Sequence, residues 1–135
     1  LPWREIDHTA DRGIEVTSGT IEGLFIEGAS ALYSIMFDRS CPEGRYRRTI
    51  DMSLGGMDMP DLAVQWLNEL IYLWETERCW FQPLFIQVEE EKNLLTARGN
   101  LCELQGVAGR VKAATYGGLV LKTCPVFFLR VFLDV

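Results

Sequence analysis

From Trp80 to Val135 no segment carries a helical period. Trp80 to Glu89, Leu94 to Glu103, Val111 to Tyr116, Leu119 to Lys122 and Val126 to Val135 read as five extended runs, and both helical stripes lie before them. Helices confined to the first part of a chain cannot alternate with strands as a regular βαβ winding requires. The order is strand, helix, strand, helix and then strands alone. It predicts an α+β fold in which two helices pack on one face of a mainly antiparallel sheet of six or seven strands, a two-layer sandwich.

The individual elements follow from local chemistry. Thr9 to Val16 ends in alternation and meets Ser18-Gly19, which predicts a strand leading into a helix capped by Thr20. Ile21, Leu24, Phe25, Gly28, Leu32, Ile35 and Met36 then recur at three and four as one apolar stripe. Arg45 to Leu54 alternates as a strand with one face in water. Asp58, Pro60 and Asp61 announce a second helix running to about Thr76, its buried face carrying Leu62, Trp66, Leu67 and Leu70 and its wet face Asp61, Gln65, Asn68, Tyr72 and Glu75. Glu90 to Asn93 reads as a hairpin turn. The last run is apolar on both faces, which places it in the middle of the sheet.

A chain of 135 residues that is 48% apolar and 24% charged suits one globular domain spanning residues 1–135. Its longest apolar stretch, Cys124 to Leu129, is far short of the ~20 residues that span a bilayer. No basic segment followed by an apolar one opens the sequence, so a cytoplasmic location and no membrane partner are expected. The cysteines Cys41, Cys79, Cys102 and Cys124 form no CxxC knuckle and are read as reduced and mostly packed. A net charge of -6 argues against a protein whose main task is coating phosphate backbones. It favours a basic protein surface or a cation as partner. Arg45, Arg47 and Arg48 form a basic cluster, but on the solvent face of a strand such charges also discourage edge pairing.

Three segments could carry chemistry. Asp7-His8-Thr9-Ala10-Asp11 gathers two carboxylates and the only histidine, although a lone histidine beside an aspartate is more often a structural pair than a catalyst. At the other end, the Asp134 side chain lies beside the main-chain carboxylate of Val135, and two such anions repel unless a cation sits between them. With Asp11 drawn alongside, three hard oxygen donors would converge, a set suited to Ca²⁺ or Mg²⁺ rather than Zn²⁺; the alternative is a solvated tail. Lys112, among small residues, could hold a carboxylate or phosphate or be an ordinary strand lysine.

Read in succession, these segments resemble the archease family. The resemblance rests on Asp7-His8-Thr9-Ala10-Asp11 with Gly13, on Leu24-Phe25 and Ala31-Leu32-Tyr33 with Met36 and Asp38, on Trp66 to Tyr72, on Val111 to Tyr116, and on Asp134-Val135. It covers essentially the whole chain. The resemblance implies a protein that is not itself an enzyme but an activator of the RtcB-family RNA ligase of tRNA splicing, promoting ligase guanylylation so that it turns over repeatedly. It implies a divalent cation, typically Ca²⁺ with Mg²⁺ or Mn²⁺ as alternatives, held by Asp11, Asp134 and Val135. GTP would be bound by the ligase, and direct contact with RNA is left open. His8, Lys112 and Asp7 stand in the family's characteristic segments and are expected near the site or at the partner contact. Gly117 departs from the family, where a histidine commonly follows this tyrosine. Two other readings use the same residues: a stand-alone metal-dependent phosphoester hydrolase with His8 as acid or base, and a chaperone-like module holding a structural ion.

Overall fold

The computed structural model describes residues 2–8, 11–38, 43–107 and 109–135, the side chains of Asp7 and His8 excepted. Among these residues the elements are β1 (Trp3–His8), β2 (Asp11–Ser18), α1 (Ile21–Phe37), β3 (Arg45–Gly55), α2 (Met59–Glu77), β4 (Cys79–Glu89), β5 (Leu94–Glu103), β6 (Ala113–Lys122) and β7 (Phe127–Asp134). Thr20 caps α1 by accepting the Gly23 N–H at 3.0 Å, and Asp58 caps α2 by accepting that of Asp61 at 2.8 Å. Asn93, with φ of 49°, closes a single 3-10 turn over Glu90–Lys92 and completes the β4–β5 hairpin.

The α+β class, with two helices and antiparallel strands, is as the sequence predicts. The strands, however, divide into two sheets rather than one: β1-β2-β7-β6 and β3-β5-β4. The chain leaves the first sheet through α1, builds β3, α2, β4 and β5, and returns at β6. Each helix touches strands of both sheets and so joins them. Between the helices and the sheets lies one apolar core, with Trp66, Trp74, Phe25, Phe81, Leu32 and Leu70 among its fully buried side chains.

Three further differences have physical causes. β1 escapes a reading by apolar alternation because its residues are mostly polar and lie on a sheet edge. Its register against β2 runs from Trp3↔Val16 to His8↔Asp11, and Arg4 pairs with Glu15 at 2.6 Å. The strand expected from Thr9 is described from Asp11; Thr9, Ala10 and Cys41 lie outside the described residues. The two runs expected around Gly117-Gly118 are one strand, β6, whose pairing with β7 skips from Thr115↔Phe132 to Val120↔Arg130. Gly118 is needed there: its φ is 73°, and a Cβ would stand 2.7 Å from the Phe132 ring, which crowds Gly13 from its other edge. β7 lies between β2 and β6, in the sheet interior as expected.

Cys79 and Cys102 are buried free thiols, whereas Cys124 is free and exposed. Two of the three β3 arginines are engaged within the fold. Arg48 contacts Glu77 at 2.7 Å, and Arg47 lies 3.8 Å from Glu103. No helix among the described residues is long and apolar enough to cross a membrane.

Candidate functional site

The central position of β7 decides what meets at its end. β2 pairs with it from Ser18↔Phe127 to Arg12↔Leu133, and the next residues outward on the two strands are Asp11 and Asp134. On the other side Ala113 pairs with Asp134, and the Lys112 N–H donates to the Asp134 carbonyl at 2.7 Å. On the far side of β2, His8 is opposite Asp11. The pairs His8↔Asp11 and Ala113↔Asp134 therefore lie at one end of the sheet, with Val135 and Lys112 just beyond the second.

Directly opposed residues share a face, with Cβ atoms about 5 Å apart. With the register continued by one step, Asp11, half-buried, and Asp134, exposed, would be two like charges at a spacing a common cation can bridge. Two carboxylates and a main-chain oxygen of Val135 form a donor set of hard oxygens, which fits Ca²⁺ or Mg²⁺. Among the described residues no three His, Cys, Asp or Glu side chains gather as a metal cage, so two side chains need donors from the main chain, from solvent or from a partner. Lys112 is exposed at this same end. For Asp7 and His8 the backbone alone is described, and both lie in this corner of the sheet.

β6 is held in place by two side chains of α2 that the sequence reading put on a wet face. Asn68 donates to the Ala114 carbonyl at 3.2 Å and accepts the Ala114 N–H at 2.8 Å, serving this sheet edge as a neighbouring strand would. Asp61 is buried rather than wet. It accepts the Tyr116 hydroxyl at 2.6 Å and the Met57 N–H at 2.8 Å, with the Gln65 amide at 3.4 Å. The Tyr116 hydroxyl, then the Met57 amide, holds the Asp61 carboxyl below its ordinary pKa, and the same bond raises that of Tyr116. One signal was available in the sequence: Asn68 sits mid-helix beside Leu67, where asparagine has little reason to be unless its amide finds partners. Among the described residues no atom lies within 4 Å of a Cβ placed on Gly117, so a side chain there would meet none of them.

The Asp61 cluster predicts a pH dependence. Asp61→Asn is expected to cost about 1–3 kcal/mol at neutral pH, because a buried charged acceptor with three donors is replaced by a weaker one. With a folded pKa below the unfolded 3.8, the contribution of Asp61 is complete above that value and is lost as pH falls through the folded value. Urea unfolding of both proteins from neutral to acid pH should show curves that converge only below 3.8. A gap that stays constant with pH would refute the ionised pairing.

The archease protein family (MTH1598/TM1083) matches residues 3–135. The chain belongs to the archease family. It is 30% identical over 141 aligned residues to the archease of Methanosarcina barkeri, covering 98% of this chain and 95% of that one. The solution structure of Methanobacterium thermoautotrophicum protein 1598 superposes with a TM-score of 0.71 at 25% identity, covering 99% of each chain. The Thermotoga maritima crystal structure of an archease, called a possible chaperone, gives a TM-score of 0.65 at 20% identity over 98% of this chain and 96% of that one, a likeness of fold.

Proposed function

We propose that this archease activates an RtcB-family RNA ligase of tRNA splicing, promoting ligase guanylylation and repeated turnover, and that it does so through the end of the sheet that carries Asp11 and Asp134. The observation carrying the reading is the register: β7 lies between β2 and β6, so residues from both extremes of the chain form one acidic corner. Asp11, Asp134 and a main-chain oxygen of Val135 would hold a divalent cation, Ca²⁺ before Mg²⁺ or Mn²⁺. Such an ion supplies charge neutralisation where phosphates are exchanged. The chain's own part is to present the carboxylates on a paired strand end, with Asp134 fixed through its carbonyl by the Lys112 amide. His8, Asp7 and Lys112 belong to the surface that meets the ligase. A protein of net charge -6 suits a basic, RNA-binding partner, with GTP held by that partner.

The test is RNA ligation under multiple turnover, with the ligase of the same organism, GTP and divalent metal. Wild type is expected to stimulate turnover, while Asp11→Ala and Asp134→Ala lose the stimulation and remain folded. Absence of stimulation by wild type at any metal or stoichiometry refutes the activator role. Stimulation retained by both variants refutes the carboxylate site. Hydrolysis of a phosphate ester by this protein alone would favour the hydrolase reading.

A further inference from the structure

The three-stranded sheet carries a second surface, remote in the fold from the acidic corner and independent of the ligase reading. β4 is an edge strand of that sheet, and α1 lies along its open side. An open edge ordinarily invites another strand, but this one is partly taken up from within. The Phe81 N–H donates to the Tyr33 hydroxyl at 2.9 Å, and the Val88 N–H donates to the Glu22 carboxylate at 3.1 Å. Pro83, two residues from Phe81 and on the same side of the strand, has no N–H to offer. Helix α1 thus takes up two of the donors on which strand addition would depend, and Pro83 removes a third.

Between those two bonds the register slips at Pro83/Phe85, and Leu84 is the extra residue. Leu84 is 60% exposed and Phe85 55%, and Ile26 of α1 is 41% exposed across from them. They rim a groove of about 210 Å³ floored by Ala29, Tyr33 and Phe81. Small-molecule sites run from about 300 Å³ upward and place several polar groups. Among the described residues, the polar side-chain groups of the lining without a hydrogen bond are the Ser30 hydroxyl and the buried indole N–H of Trp80. The groove has room for a few apolar side chains.

Charge selects among the proteins that could supply them. Neither α1 nor β4 contains a lysine or arginine, and their charged residues are Glu22, Glu27 and Glu89. Lys92 and Arg98, on the adjoining turn and strand, pair with Glu89 at 3.4 Å and Asp51 at 3.8 Å. An apolar groove between a helix and a strand that carry glutamates and no lysine or arginine, with the strand edge partly taken up, fits an amphipathic helix whose apolar face is flanked by basic residues. We infer that the groove between α1 and the β4 bulge is a docking site for a basic amphipathic helix of a partner protein.

The probe is a designed peptide of about five helical turns, with leucines at i, i+3, i+4 and i+7 and lysines elsewhere, titrated into the nitrogen-labelled full chain. Amide shifts are expected around Ile26, Ser30 and Leu84 to Ile86. Ile26→Lys and Leu84→Asp, each altering an exposed side chain, should each weaken binding about tenfold or more, and a peptide with glutamates in place of lysines should bind about tenfold more weakly. If Leu84→Asp does not fold, Ile26→Lys decides alone. Shifts elsewhere, equal binding of the glutamate peptide, or undiminished binding by a folded variant would overturn the inference. Self-association with rising concentration that Ile26→Lys abolishes would also overturn it, assigning the groove to a second copy of this chain.

Discussion

Replacing Trp66 by alanine is expected to lower stability by about 3–5 kcal/mol, the range for removing a large buried aromatic. Trp66 is fully buried on α2, and its Nε1–H donates to the Phe25 carbonyl of α1 at 2.8 Å. Its ring meets that of Phe81 on β4 edge-to-face at 5.9 Å between centroids. One side chain therefore ties both helices to the three-stranded sheet. A domain of this size has about 5–15 kcal/mol in all, so the variant should melt on the order of 10–20 °C lower or fail to accumulate. Trp66→Phe keeps much of the ring contact and loses the hydrogen bond and some volume, and about 1–2 kcal/mol is expected. Thermal and urea unfolding of both variants checks the ordering. Equal, small losses would mean that the core collapses around the gap and that Trp66 is not the joint described.

What could be read from the sequence and what could not are separated by range. The helices were legible because capping is local: Thr20 meets Gly23, and Asp58 meets Asp61, within one turn. Asp61 shows where that legibility stops. By period it belongs to the wet face of α2, but a tyrosine on β6 reaches it, and no helical pattern contains Tyr116. The division into two sheets was hidden for the same reason. Alternation says which face of a strand is apolar, not which strand it bonds. The pairings β2–β7 and β3–β5 join residues far apart in sequence.

The candidate site repeats this division. Asp11 and Asp134 each stood out as carboxylates in unusual company, and both come to the same end of one sheet on the adjoining strands β2 and β7. Their meeting depends on β7 being interior, which its apolar faces predicted, and on which strands flank it, which nothing local could state. A Cβ on Gly117, where a histidine is common, would touch none of the described residues, so the departure costs the fold nothing and concerns only what approaches that surface.

Asn68→Ala is expected to cost about 3 kcal/mol, because it leaves both backbone groups of buried Ala114 without their partner at once, and each such group is worth about 1–3 kcal/mol. The effect reaches the acidic corner through two bonds. Asn68 fixes Ala114, and two residues back in the same segment the Lys112 amide fixes the carbonyl of Asp134. Loosening β6 should therefore free the strand end that carries one of the two carboxylates. Asn68→Asp separates a pairing role from simple packing. The carboxylate can still accept the Ala114 N–H but sets an anionic oxygen against the Ala114 carbonyl, so its cost should match that of alanine despite its near-identical shape. Hydrogen exchange in the folded variants should accelerate at Ala113 to Tyr116 while the β4–β5 hairpin keeps its protection. Protection of β6 unchanged in a folded Asn68→Ala protein would mean that β7 alone holds this edge, and that α2 has no part in positioning Asp134.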